Sequence, residues 1–305
     1  MNQIPGGIYP VMITPFTADN QIDYDAVDRI VEFYAQGGCH GIFAVCQSSE
    51  MFWLTENERE KLAARVVKAS AGRMCVVASG HISERMEDQI RELRRIAATG
   101  VNAVVMISNR LASPNESDDA LIARMKTILD AIPGVTFGMY ECPYPYKRML
   151  TPKVLEAMAE TGRFTFIKDT CCDAELIAER IKLLDGRIQL FNANCATALE
   201  TFESGADGFS GIMANYHPDL LVWLYENFRA QPEKARKLSS MLSVMSLVEG
   251  CGHPAATKYH MNLVGVPMEI RSRSINADER FDKLDRHAID DLAQIEEVIR
   301  KWIKA

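Results

Sequence analysis

The stretch FTFIKDTCCDAELI, residues 164–177, runs four mostly apolar residues into a lysine, then polar and small residues, then a helical pattern. Read as a unit it is a buried strand, a turn and a helix. The same unit recurs in both directions along the chain. The segments GIYPVMIT (7–14), GIFAV (41–45), MCVVAS (74–79), AVVMIS (103–108), TFGMY (136–140), IQLFN (188–192) and GFSG (208–211) are further strand candidates, giving eight with FTFIK (164–168). Most are continuously apolar, as strands of a parallel sheet covered by helices are. Glycines at 37/38, 72, 100, 134, 162, 186 and 205 close the intervening helical windows, the position where a left-handed residue ends a helix. Helix starts are marked too: Asp23 before YDAVDRIVEFYAQ, Thr55 with Glu58 as a capping box, and Thr151 followed by Pro152.

Eight strands alternating with helices over about 230 residues predict an α/β fold, a (β/α)8 TIM barrel. Periodicity alone leaves an open doubly wound sheet as the alternative. No strand pattern recurs after Pro218, and segments 218–229, 232–249, 255–264 and 278–304 read as the eighth barrel helix plus a C-terminal helical extension. The expected organisation is a barrel over 1–230 and an extension over 231–305 packed on it as a single domain.

Composition narrows the function classes. With 48% apolar and 25% charged residues the chain reads as globular. A net charge of −7 and no basic cluster argue against a nucleic-acid partner. No apolar run reaches membrane-spanning length, and the N-terminus lacks a signal pattern, so a cytoplasmic protein is expected. The eight cysteines are expected to be free thiols. Cys46, Cys142, Cys171, Cys172 and Cys195 all fall just past strand ends, an invitation to zinc, but no CxxC or HxxxH spacing supports it and no metal is expected. His40, His81, His217, His253 and His260 are too dispersed to define a site.

In a TIM barrel the active site lies at the C-terminal strand ends. Lys168 ends the sixth strand and Tyr140 the fifth, so the two share one pocket. Burial lowers a lysine's pKa and frees a nucleophilic amine, which forms a Schiff base with a carbonyl substrate. A tyrosine hydroxyl beside it moves protons. The competing reading is a loop ion pair between Lys168 and Asp169.

The sequence resembles the dihydrodipicolinate synthase and N-acetylneuraminate lyase family of class I, pyruvate-dependent aldolases over nearly its whole length. The resemblance is carried by VMITPF (11–16), CQSSE (46–50) in place of G[ST]TGE, YECP (140–143) in place of YNxP, IKDT (167–170) and GADGFSGIMAN (205–215). It implies a homotetramer with no metal or organic cofactor, Lys168 as Schiff-base lysine and Tyr140 as proton shuttle. Ser48 and backbone groups of the 47–49 loop, Ser49 among them, would hold the carboxylate of pyruvate or another 2-oxo acid. Ser210 would line the same pocket.

The departures bear on substrate. Gln47 replaces the first hydroxyl residue of the motif, Asn109 stands where synthases place a tyrosine reaching across a subunit interface, and Pro145 falls where they keep an arginine for the carboxylate of aspartate semialdehyde. Cys195 and Ala196 occupy the acidic positions of sialic-acid lyases. The expected rim is Gln47, Asn109, Arg110, Glu141 and Asn194, a mixed polar set suited to hydroxyl groups and to one carboxylate at most. The favoured activity is reversible aldol cleavage of a 2-oxo-3-deoxy sugar acid to pyruvate and an aldehyde. Its alternatives are dehydration of such an acid, dihydrodipicolinate synthase activity proper, and a 2-oxo-acid-binding sensor.

Overall fold

The structure is a computed structural model that describes residues 3–304. Its strands are β1 (Gly7–Ile8), β2 (Gly41–Phe43), β3 (Cys75–Ala78), β4 (Ala103–Ile107), β5 (Phe137–Tyr140), β6 (Phe164–Asp169), β7 (Gln189–Asn192) and β8 (Gly208–Phe209). They form one parallel sheet in the order β1-β8-β7-β6-β5-β4-β3-β2. The ends meet through a parallel bridge between Val11 and Phe43, with Phe43 N–H donating to the Pro10 carbonyl at 2.9 Å. The fold is the TIM barrel expected from the strand–helix alternation. The first strand is shorter than its apolar run because Pro10 has no N–H to donate, and the chain continues across the seam as single hydrogen bonds.

The helices between the strands are α1 (Tyr24–Gln36), α2 (Glu56–Ser70), α3 (Met86–Ala97), α4 (Asp118–Ala131), α5 (Pro152–Thr161), α6 (Ala174–Leu184), α7 (Ala198–Glu203) and α8 (Pro218–Asn227). Their starts obey the local signals. Asp23 accepts from Ala26 N–H, Thr55 and Glu58 form the reciprocal box, and Thr151 caps a helix with Pro at its first position. Gly162 closes α5 at φ 63°, a conformation a side chain resists. Gly138 serves the interior instead: a Cβ there would lie 2.3 Å from the Phe166 ring that fills the barrel.

Beyond α8 the chain forms α9 (Pro232–Met245), a 3-10 turn (Ser246–Gly250), α10 (Ala255–Leu263) and α11 (Lys283–Lys304). The last window breaks, against its continuous helical reading: a short turn (Ala277–Arg280) ends at Phe281, and Asp282 caps the restart by accepting from Leu284 and Asp285 N–H. Phe281 is 1% exposed, so its burial fixes the break. The extension is tied to the barrel by buried polar contacts. Lys258 Nζ donates to Glu50 Oε1 at 2.8 Å, and Glu296 accepts from or pairs with His217 at 2.9 Å and His260 at 3.1 Å.

Candidate active site

Strand alternation sends Lys168 inward and Asp169 outward. Asp169 is bound by Arg180 of α6, which also pairs with Glu141 at 3.0 Å, so the loop ion pair between Lys168 and Asp169 does not form. Lys168 instead stands alone. Its Nζ lies 4.2 Å from the centre of the Tyr140 ring and 5.4 Å from that of Phe43, and it has no hydrogen-bond or ion-pair partner among the described residues. Tyr140 and Lys168 are direct Cα partners across β5 and β6. Burial pulls the Lys168 ammonium down to about 8, against the opposing pull of Cys46, Cys142 and Glu249. Burial also holds the Tyr140 phenol well above its ordinary value, so it stays protonated.

These two side chains open into a cavity of about 600 Å³ at the C-terminal mouth of the barrel, within the range of small-molecule sites. Gln47 and Ser48 line it, as do Trp53, Tyr144 and Thr170. The loop carrying Ser48 is held from both sides. Ser49 Oγ is turned into the core, 2.7 and 2.8 Å from the Met12 and Ala44 carbonyls that share its one donor hydrogen. Glu50 adopts a left-handed backbone (φ 60°), which costs a non-glycine residue about 1 kcal/mol. Its carboxylate is fixed by Lys258, Ser272 Oγ and the main-chain N–H groups of Arg273 and Ser274. Burial would raise the Glu50 carboxyl, but Lys258 and the Ser272 and Ser274 donors hold it below the usual range. The main-chain N–H groups of Ser48 and Ser49 donate to no main-chain acceptor among the described residues.

The other expected rim residues go elsewhere. Glu141 follows Tyr140 and so faces outward, accepting from Leu150 and Thr170 N–H. Asn109 Nδ2 lies 2.7, 2.8 and 2.7 Å from the carbonyls of Cys142, Tyr144 and Tyr146, clamping the loop after β5. Arg110 lies over the Phe52 ring and, with Pro145, lines a separate hollow. Asn194 caps the turn after β7. Ser210 Oγ is buried without a partner among the described residues, beside the Gly211 that does line the cavity.

Two residues dismissed or unremarked in the sequence complete the cavity, and both come from the extension. His253 Nε2 lies 3.0 Å from Ser48 Oγ and its Nδ1 2.7 Å from Thr257 Oγ1, with burial keeping the ring neutral near pKa 4. Glu249 lines the same wall. A conventional spacing rule could not find them, since they lie some eighty positions beyond the sixth strand, in the helical extension that follows the last one. Among the described residues no group of three or more His, Cys, Asp and Glu can hold a metal, and no helix is long and apolar enough to cross a membrane. The eight cysteines are all free.

The family profile described as the dihydrodipicolinate synthetase family matches residues 4–280. The chain belongs to this family. It is therefore an enzyme, a class I aldolase-like lyase. Among its relatives are 4-hydroxy-tetrahydrodipicolinate synthases from Marinobacter nauticus (26% identical, over 77% of this chain and 80% of the relative) and Stenotrophomonas maltophilia (23%, over 95% and 97%). Solved structures agree in fold. A Bacillus anthracis dihydrodipicolinate synthase superposes with TM-score 0.87 at 20% identity, covering 96% of this chain and 99% of the other. A prophage protein of the family from E. coli K12, in complex with pyruvate, gives TM-score 0.87 at 20% identity over 96% and 98%.

Proposed function

We propose that this enzyme condenses a 2-oxo acid with its own Lys168 and reversibly cleaves a 2-oxo-3-deoxy sugar acid, or a similar compound, to pyruvate and an aldehyde. The observation that carries the reading is the buried, unpartnered Lys168 amine beside the Tyr140 ring at matching strand ends. The amine attacks the 2-oxo carbon and the carbinolamine loses water to an imine, with Tyr140 supplying the proton to the departing hydroxyl. Ser48 and the main-chain N–H groups of Ser48 and Ser49 hold the carboxylate so that the carbonyl carbon faces the amine. The 4-hydroxyl then gives up its proton to the Tyr140 phenolate left by that step, the C3–C4 bond breaks, and its electrons enter the iminium as an enamine. Protonation of C3 and hydrolysis release pyruvate. Gln47 and the mouth residues Trp53 and Tyr144 contact the remainder of the substrate.

The relatives are named for a synthase reaction, which would bring a second carboxylate into the site. Among the described residues no arginine lines this cavity, and Lys168 is the one lysine that does. The nearby cations are engaged: Lys147 Nζ donates to the Thr170 carbonyl at 2.6 Å and Arg148 pairs with Asp118 at 2.8 Å. An uncharged aldehyde fits this lining better. The family resemblance extends the proposal to a cytoplasmic homotetramer working without metal, to be checked by light scattering and by retention of activity in chelator.

The test is reductive trapping. Pyruvate with borohydride should modify Lys168, located by peptide mass mapping, and Lys168→Arg should abolish the adduct because a guanidinium stays protonated. An adduct at another residue, or none with any 2-oxo acid, sinks the proposal. A panel of 2-oxo-3-deoxy acids then separates cleavage, read as pyruvate release, from dehydration through the same imine.

A further inference from the structure

The extension brings a carboxyl group to the mouth of the catalytic cavity. Glu249, in the turn Ser246–Gly250, lines the wall that also holds Lys168 and His253, and it has no hydrogen-bond or ion-pair partner among the described residues. Neighbouring carboxylates in this protein are treated differently: Glu50, Glu141 and Glu296 are each bound by basic side chains. A partly desolvated carboxylate left without donors is costly, so it favours a ligand that brings one. The same cavity is lined by the tilted rings of Trp53 and Tyr144, 5.4 Å apart and half-exposed, a surface for the C–H face of a ligand.

We propose that Glu249 selects the second substrate, accepting a hydroxyl of an uncharged polyhydroxylated aldehyde and turning away an aldehyde that carries a carboxylate. The inference rests on the imine reading. Once Lys168 is joined to pyruvate, its positive charge is matched by the pyruvate carboxylate, and an acceptor carboxylate would meet Glu249 with no cation to offset it. A hydroxyl meets the same group as a charge-assisted donor.

Burial pushes the Glu249 carboxyl up to about 7, with Lys168 pulling it down, so its charge changes across neutral pH. The titratable groups that feel it are Lys168 on β6, Cys195 after β7 and Tyr216 after β8, and His253 of its own segment lines the same cavity. Glu296 of α11 lies behind Tyr216, held by His217 and His260.

The experiment compares kcat/KM for glyceraldehyde with that for succinic semialdehyde, pyruvate being saturating, in the wild type, Glu249→Gln and Glu249→Ala. Taking the ratio of the two aldehydes cancels the ionisation of Lys168, which both share. The wild type should prefer glyceraldehyde, and the preference should grow as pH rises from roughly 6 to 8 and Glu249 ionises. In Glu249→Gln the ratio should move toward the carboxylated aldehyde by roughly 10- to 100-fold and lose its pH dependence. A ratio unchanged in both variants, a pH-independent wild-type ratio, or a preference for succinic semialdehyde overturns the assignment. Borohydride trapping on the same samples separates the two layers: adduct without the ratio change refutes Glu249 alone, and absence of adduct refutes the imine reading and this inference with it.

Discussion

Lys168 is held by opposing effects: enclosure disfavours its charge while Cys46, Cys142 and Glu249 favour it, and the balance falls near 8. Below that value the amine is protonated and cannot attack, so the rate of imine formation should rise about tenfold per pH unit up to about pH 8 and then level off. Stopped-flow trapping with pyruvate across pH 6 to 9 reads this directly. Tyr140→Phe should retain some imine formation while turnover drops roughly 10²- to 10⁴-fold, the scale of a lost acid/base group, and near-normal turnover would remove the phenol from the mechanism. His253 positions Ser48 rather than touching the reacting atoms. His253→Ala should therefore raise KM for pyruvate by roughly tenfold with a smaller effect on kcat, a split that general loss of folded protein would not give. Lys168 and Tyr140 were legible because a strand end followed by a helix announces itself locally. His253 and Glu249 were not, since their role depends on how an all-helical segment folds back over the mouth, and nothing in SLVEGCGHP marks that return.

The strand alternation explains why Glu141 leaves the expected rim. Neighbours in sequence at a strand end point to opposite faces, so Tyr140 and Lys168 enter the cavity while Glu141 and Asp169 turn to Arg180 between the strands and α6. That period was available from the sequence once the strand boundaries were set. The Asn109 clamp was not, because it depends on a loop path after β5 that Pro143 and Pro145 shape. Arg180 pairs with two buried carboxylates at once. Arg180→Ala should destabilise the fold by about 3 to 5 kcal/mol, since it leaves them uncompensated, and urea denaturation measures it. Loss of less than about 1 kcal/mol would mean that the pair is solvated or protonated in the folded protein.

Across the whole molecule, the extension and barrel are joined by buried charge. Burial alone would raise the Glu296 carboxyl, but His217 and His260 hold it down to about 2. A carboxyl whose folded pKa lies below its unfolded one stabilises the fold above the unfolded value and loses that stabilisation as pH falls toward the folded value. Stability should therefore decline as pH drops from about 4.5 toward 2, and Glu296→Gln should flatten that part of the curve in chemical denaturation at a series of pH values. The barrel itself was readable as repeated units. The manner of its attachment was not, because Glu50, Lys258 and Ser272 meet only through chain reversal. That meeting also sets an order of events during synthesis. Lys168 and Tyr140 leave the ribosome well before Glu249, His253, Lys258 and Ser274, so a nascent chain carries both strand-end side chains while the 47–50 turn still lacks its clasp. The pocket is therefore a late product of translation, complete only when the last quarter of the chain has been made and settles over the barrel.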